Sequence, residues 1–304
     1  MKRLFALLLL LAICGNVRAG TNETEALDVA FTAAVDRTEQ RYVLVLPADF
    51  KREQPHDVLI ALHGHGSDRW QFVRNERDEC RAARDVAAAH GMIYVSPDYR
   101  AKTSWMGPKA EADLVQIIGE LKKAHRVSRV FLCGGSMGGT ASLTFAALHP
   151  KLVAGVAAMN GTANLIEYEG FADAIAESFG GSKTAIPKEY KKRSAEFWPK
   201  RFTMPVGITA GGKDTVVPPQ SVVRLASQLK ARGREVLLIH REEGDHATTY
   251  DDARAVLEFV FEKARKPKQL RSAAVERAPG HDERLLHSSG FHIAWSVEPW
   301  KGNP

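Results

Sequence analysis

Short apolar runs alternate along this chain with stretches of helical periodicity, and that rhythm restricts the fold more than any other feature. Val58-Leu59-Ile60-Ala61-Leu62 is apolar throughout, as are Val130-Phe131-Leu132-Cys133 and the run Val153 to Met159. Strands without alternation are buried on both faces, the condition of a parallel sheet covered by helices. Tyr42 to Leu46, Met92 to Ser96, Val206 to Thr209 and Val236 to Ile239 read as further strands. Between them, Cys80 to His90, Glu111 to Lys123, Ala141 to Leu148, Gln220 to Lys230 and Ala253 to Ala264 carry helical spacing or helix stop signals. The order implies an α/β fold with a mostly parallel central sheet and helices on both faces. Residues 160–204 break the rhythm and are rich in aromatics, so they are expected to form a small inserted cap.

Charge excludes one class of partner. Lys plus Arg total 42 and Asp plus Glu total 36, a net charge of +6. Residues 1–19 contribute three bases and no acid, and residues 265–304 contribute seven bases and four acids. The body, 20–264, is therefore balanced at 32 of each sign. It offers no basic excess for nucleic acid.

The two ends differ in kind from the body. Lys2 and Arg3 precede an apolar run from Leu4 to Ile13, and Val17-Arg18-Ala19 precedes Gly20. This is the pattern of a secretory signal peptide over 1–19, and the run is too short to span a bilayer. A secreted or periplasmic protein without a membrane span is expected. Leu11-Ala12-Ile13-Cys14 approaches a lipoprotein box, but the large Ile13 argues against a lipid anchor at Cys14. Residues 265–304 carry scattered prolines and no apolar period, and are expected to be a poorly ordered tail. Their bases raise surface or polymer attachment as a further idea. Of the remaining cysteines, Cys80 and Cys133 read as two free thiols rather than a bridge.

The chemistry centres on Gly134-Gly135-Ser136-Met137-Gly138, a G-x-S-x-G between an apolar strand and an Ala-rich helix. That setting is the one a nucleophile elbow requires. A serine hydroxyl needs a base held against it. His246, in Glu243-Gly244-Asp245-His246 before the final helix, is the candidate, with His240 its nearest competitor. An acid must orient the imidazole. Asp214 follows the strand from Val206 and so lies at a carboxyl end, where catalytic groups gather in open α/β sheets. Asp245, adjacent to His246, is badly placed to reach its ring. The order Ser136, Asp214, His246 is that of the α/β-hydrolases. Oxyanion-hole donors are expected from the backbone N–H groups of Met137 and of His65, in the turn His63-Gly64-His65-Gly66. His63 reads as bracing that turn. Trp105 and the cap's Trp198 are candidate substrate-binding residues, with cap packing as the alternative.

These pieces carry a resemblance. Leu62-His63-Gly64, Ser96-Pro97-Asp98, Gly134 to Gly139, Met204-Pro205-Val206, Gly212-Lys213-Asp214 and Gly244-Asp245-His246 spread over residues 42–264. The chain resembles the α/β-hydrolase superfamily. Within it the likeness is to secreted esterases of the polyhydroxybutyrate-depolymerase and feruloyl-esterase kind, and to the prolyl-oligopeptidase catalytic domain. The resemblance implies a triad of Ser136, Asp214 and His246, an acyl-enzyme, and no metal or organic cofactor. The partner it implies is a small-molecule or polymer-linked ester. Prolyl oligopeptidases usually carry a β-propeller, for which this chain has no room, so an ester is expected over a peptide. Oligomeric state is not legible. A metallohydrolase is the second enzyme reading: His63, His65 and Asp68 cluster, as do His240, Glu242, Glu243, Asp245 and His246. Neither group has the H-E-x-x-H spacing of a helical zinc site. A non-catalytic binding protein of the same fold is the alternative outside enzymes.

Overall fold

The computed structural model describes residues 25–265. Residues 1–24, with the expected signal peptide and Cys14, and the expected tail beyond Arg265 lie outside the described residues.

Eight strands form one sheet: β1 (Ala26–Thr32), β2 (Glu39–Val45), β3 (His56–Leu62), β4 (Ile93–Pro97), β5 (Val127–Gly135), β6 (Gly155–Met159), β7 (Val206–Gly211) and β8 (Val236–Arg241). Their order across the sheet is β1-β2-β4-β3-β5-β6-β7-β8. Strands β1 and β2 pair antiparallel, as do β2 and β4, and every later pairing is parallel. The helices are α1 (Gln71–Arg74), α2 (Asp78–Ala89), α3 (Pro108–Ala124), α4 (Met137–Leu148), α5 (Ala172–Phe179), α6 (Pro187–Arg193), α7 (Gln220–Ala231) and α8 (Tyr250–Arg265). This is the α/β-hydrolase architecture.

The sheet separates two apolar clusters. One holds Val58, Ile60, Leu62, Leu132 and Ile208 against α3, α4 and α7. The other holds Leu59, Ala61, Phe131, Cys133 and Ala157 against α2 and α8. Consecutive residues of β3 and β5 thus point into opposite clusters, which is why those runs show no polar alternation. Strand β1 escapes such reading because it is half-exposed at the sheet edge. There Asp28, 2.9 Å from Arg69, and the partly exposed Leu27 replace an apolar stripe.

Residues between β6 and β7 form α5, α6 and two short 3-10 turns, Ala195–Phe197 and Pro199–Arg201. They are fastened to the sheet domain by Arg193, whose side chain is completely buried. Its guanidinium donates to Glu111 Oε2 on α3 and to Glu189 Oε1, both at 2.7 Å, and to the Met106 carbonyl at 2.6 Å. Gly107 completes the seam, since a Cβ there would lie 2.2 Å from the Ser178 carbonyl oxygen of α5.

Candidate functional site

Strand β5 ends in a turn so tight that its walls are backbone. A Cβ on Gly134 would lie 2.6 Å from Leu62 O, and one on Gly138 would lie 1.9 Å from the same atom. A Cβ on Gly139 would meet Met159 O at 2.7 Å. Only glycine fits these three positions. Between them Ser136 takes φ 56° and ψ −119°, a sparsely populated conformation for a residue with a side chain. Its N–H donates to Met159 O at 2.8 Å, tying the turn to β6. The side chain is thereby turned out of the sheet at the start of α4.

Asp214 and His246 reach the same spot from β7 and β8. The loops after these strands are pressed together: a Cβ on Gly211 would lie 2.1 Å from Asp245 O, and one on Gly212 would lie 2.3 Å from Glu242 O. Asp214 Oδ1 accepts from the N–H groups of Val216 and Val217 at 2.9 and 2.8 Å. Oδ2 lies 2.7 Å from His246 Nδ1. Nε2 of the same ring lies 2.9 Å from Ser136 Oγ. A carboxylate only accepts, so the ring proton sits on Nδ1 and Nε2 is left to accept from the serine hydroxyl. Asp214 is 1% exposed and His246 26%, so the acid is shielded while the imidazole meets solvent. A hydroxyl, an imidazole and a buried carboxylate joined in this order can move a proton off the serine as it attacks a carbonyl.

A second layer holds the imidazole loop. Asn160, just beyond β6, accepts at Oδ1 from Thr248 at 3.2 Å and Thr209 at 3.4 Å, and the two threonine hydroxyls lie 2.7 Å apart. Asn160 N–H donates to Thr209 O. All three side chains are buried. The sequence offered one signal for this network, a polar residue directly after an apolar strand and another two positions after His246, but nothing that paired them.

The turn after β3 packs on the elbow. Both ring nitrogens of His63 lie against backbone carbonyls, of Gly64 at 2.8 Å and Asp98 at 3.1 Å, and burial lowers its pKa. Gly64 N–H donates to Gln71 Oε1 at 2.7 Å. The His65 N–H has no acceptor among the described residues. Met137 N–H is one of those a helix start leaves without an intrahelical partner. Burial lowers the pKa of the His65 ring as well, and its Nδ1 accepts the indole N–H of Trp105 at 3.2 Å. Tyr168 donates to Val216 O in the Asp214 loop, and burial together with the Asp214 charge raises its pKa.

Of the two tryptophans, Trp105 lies beside His65 and Trp198 lies apart from Ser136, Asp214 and His246. Trp105 is 0% exposed and offers no surface to a substrate. It backs Phe171, 5.5 Å between ring centroids, while Phe171 itself is 38% exposed and sits 4.2 Å from His65. Phe171 is therefore the aromatic that faces solvent here. Trp198 is held by cap contacts, its indole N–H on Lys191 O and the Arg201 guanidinium over its ring. It lines a groove of about 890 Å³ with Glu196, Arg224 and Arg232, which includes none of Ser136, Asp214 and His246. The aromatic density of 160–204 concealed which rings pack and which are displayed.

Fold and site together define a serine hydrolase of the α/β-hydrolase fold. A family model, the prolyl oligopeptidase family of peptidase S9, matches residues 80–266, and the chain belongs to that family. No curated protein matches the sequence. Among solved structures, fluorophosphonate-binding serine hydrolase F of Staphylococcus aureus aligns with TM-score 0.62 at 18% identity over 78% of this chain and 98% of its own. S-formylglutathione hydrolase of Staphylococcus aureus aligns at 0.59 and 18%, over 78% and 99%. A putative dipeptidyl aminopeptidase IV of Bacteroides ovatus aligns at 0.63 and 16%, over 81% of this chain but 36% of its own, so the chain spans about a third of that relative.

Proposed function

We propose that the protein cleaves carboxylic esters through Ser136, His246 and Asp214 by way of an acyl-enzyme. Ser136 attacks the acyl carbonyl while His246 takes its proton, Asp214 stabilises the imidazolium, and the backbone N–H groups of Met137 and His65 receive the developing oxyanion. The alcohol leaves with the proton held by His246, and water repeats the cycle. The single observation that carries this reading is the 2.9 Å contact between Ser136 Oγ and His246 Nε2 with Asp214 behind the ring. Phe171 beside His65 suits a flat apolar acyl group. Family membership favours a second reading, a serine peptidase.

A fluorophosphonate probe is expected to label the wild type and not Ser136→Ala. Nitrophenyl esters of graded acyl length, a feruloyl ester, acetyl-xylan and a prolyl peptide amide then separate the substrates. Turnover of the peptide alone would replace the ester reading by the peptidase. We further propose that residues 1–19 direct export and are cleaved after Ala19; exported protein beginning at Gly20 by intact mass is the expected result.

A further inference from the structure

A small polar pocket of about 50 Å³ opens beside the reacting atoms, lined by Ser136, His246, Gln71, Glu79 and Thr248 among others. Its volume suits one or two water molecules and no organic group of any size. Of its polar side chains, Glu79, Arg77 and the amide nitrogen of Gln71 are not spent on the fold. Gln71 uses Oε1 to accept from Gly64 N–H, which leaves its amide N–H₂ as a donor. Among the described residues Glu79 makes no ion pair or hydrogen bond through its side chain. A Cβ placed on Gly135, the residue before the nucleophile, would lie 3.8 Å from Glu79 Oε1. Thr248 is engaged with Asn160 and Thr209 and closes the wall.

We infer that this pocket holds the water that deacylates the enzyme, with Glu79 and Gln71 as its positioning residues. The inference rests on the ester-hydrolase reading above. Once Ser136 is acylated its hydroxyl no longer occupies His246 Nε2, and a water in the pocket has that nitrogen, the Glu79 carboxylate and the Gln71 amide within its surroundings. Such a water has an acceptor for each proton and a donor for one lone pair, within the two to four partners a held water needs. The step balances simply. Water oxygen bonds to the acyl carbon as one proton passes to His246 Nε2. The carbon–Ser136 Oγ bond then breaks, Oγ takes that proton, and the free acid leaves.

The test separates the two half-reactions with p-nitrophenyl acetate. Burst rate reports acylation, steady-state turnover reports deacylation, and mass spectrometry follows the acetyl-enzyme. In Glu79→Ala, deacylation is expected to fall by about tenfold or more while the burst rate stays within about twofold, and acetyl-enzyme accumulates. Glu79→Gln keeps an acceptor of the same shape and is expected to recover most of the loss. Should the alanine variant not melt cooperatively, the glutamine variant decides, with a deacylation loss of about threefold at unchanged burst rate. Deacylation unchanged in both, or both half-reactions falling in step, overturns the water site and leaves the ester hydrolase standing. A wild type that never forms an acetyl-enzyme overturns the hydrolase reading and the water site together.

Discussion

Asp214 is shielded from water, and both of its oxygens are committed, one to two backbone N–H groups and one to His246. Asp214→Asn keeps that shape but offers an amide to the ring, which favours the wrong tautomer. Turnover of a nitrophenyl ester is expected to fall by about 10⁴-fold with little change in melting temperature. Gly138→Ala acts oppositely. Its methyl would meet Leu62 O at 1.9 Å, an obstruction of backbone that no rotamer relieves. A loss of at least about 1–3 kcal/mol in denaturant unfolding is expected, with fluorophosphonate labelling slowed as the elbow shifts. Ser136, Asp214 and His246 were legible as neighbours because each ends a strand whose partner is another of the three or β6 between them. The Asn160–Thr209–Thr248 network was not, since hydroxyls and amides are common in loops and only folding pairs them.

At the scale of elements, the cap is tied to the sheet domain at several points, among them Tyr168 on Val216 O, Arg224 on Glu196 and Glu167, and the buried Arg193. Arg193→Ala takes the buried cation from Glu111 and Glu189, leaving the first to His149 and Lys192 and the second to Lys192, and is expected to cost about 3 kcal/mol, read by urea unfolding. The same seam confers acid sensitivity. Burial alone would raise the Glu111 pKa, but hydrogen bonds from His149 and Arg193 and the Arg193 charge outweigh it, holding the carboxyl down at about 2 instead of 4.5. A depressed carboxyl pKa stabilises the fold above 4.5, and that contribution drains as pH falls toward 2. Glu111→Gln should therefore flatten the acid limb of stability against pH, measured by chemical denaturation at each pH. Helices and central strands were legible because β3, β5 and α3 show their periods plainly. Strand β1 was not, because edge position lets Asp28 and Leu27 face solvent.

Across the molecule, the sheet places its only two described thiols in one apolar cluster. Cys80 and Cys133 are fully buried and unbridged, and burial pushes Cys80 up to about 12 and Cys133 higher. Ellman's reagent is expected to find neither in the native protein within minutes and both after denaturation, with stability indifferent to added reductant. The same sheet decides how the family's chemistry can vary. Chain leaving β6 for the cap returns to β7, and those two strands are already hydrogen-bonded neighbours. The excursion thus interrupts no strand pairing, although its inner side chains share the core. Its displayed ring, Phe171, can therefore be exchanged to reshape the surface beside His65 while every strand beneath keeps its neighbour.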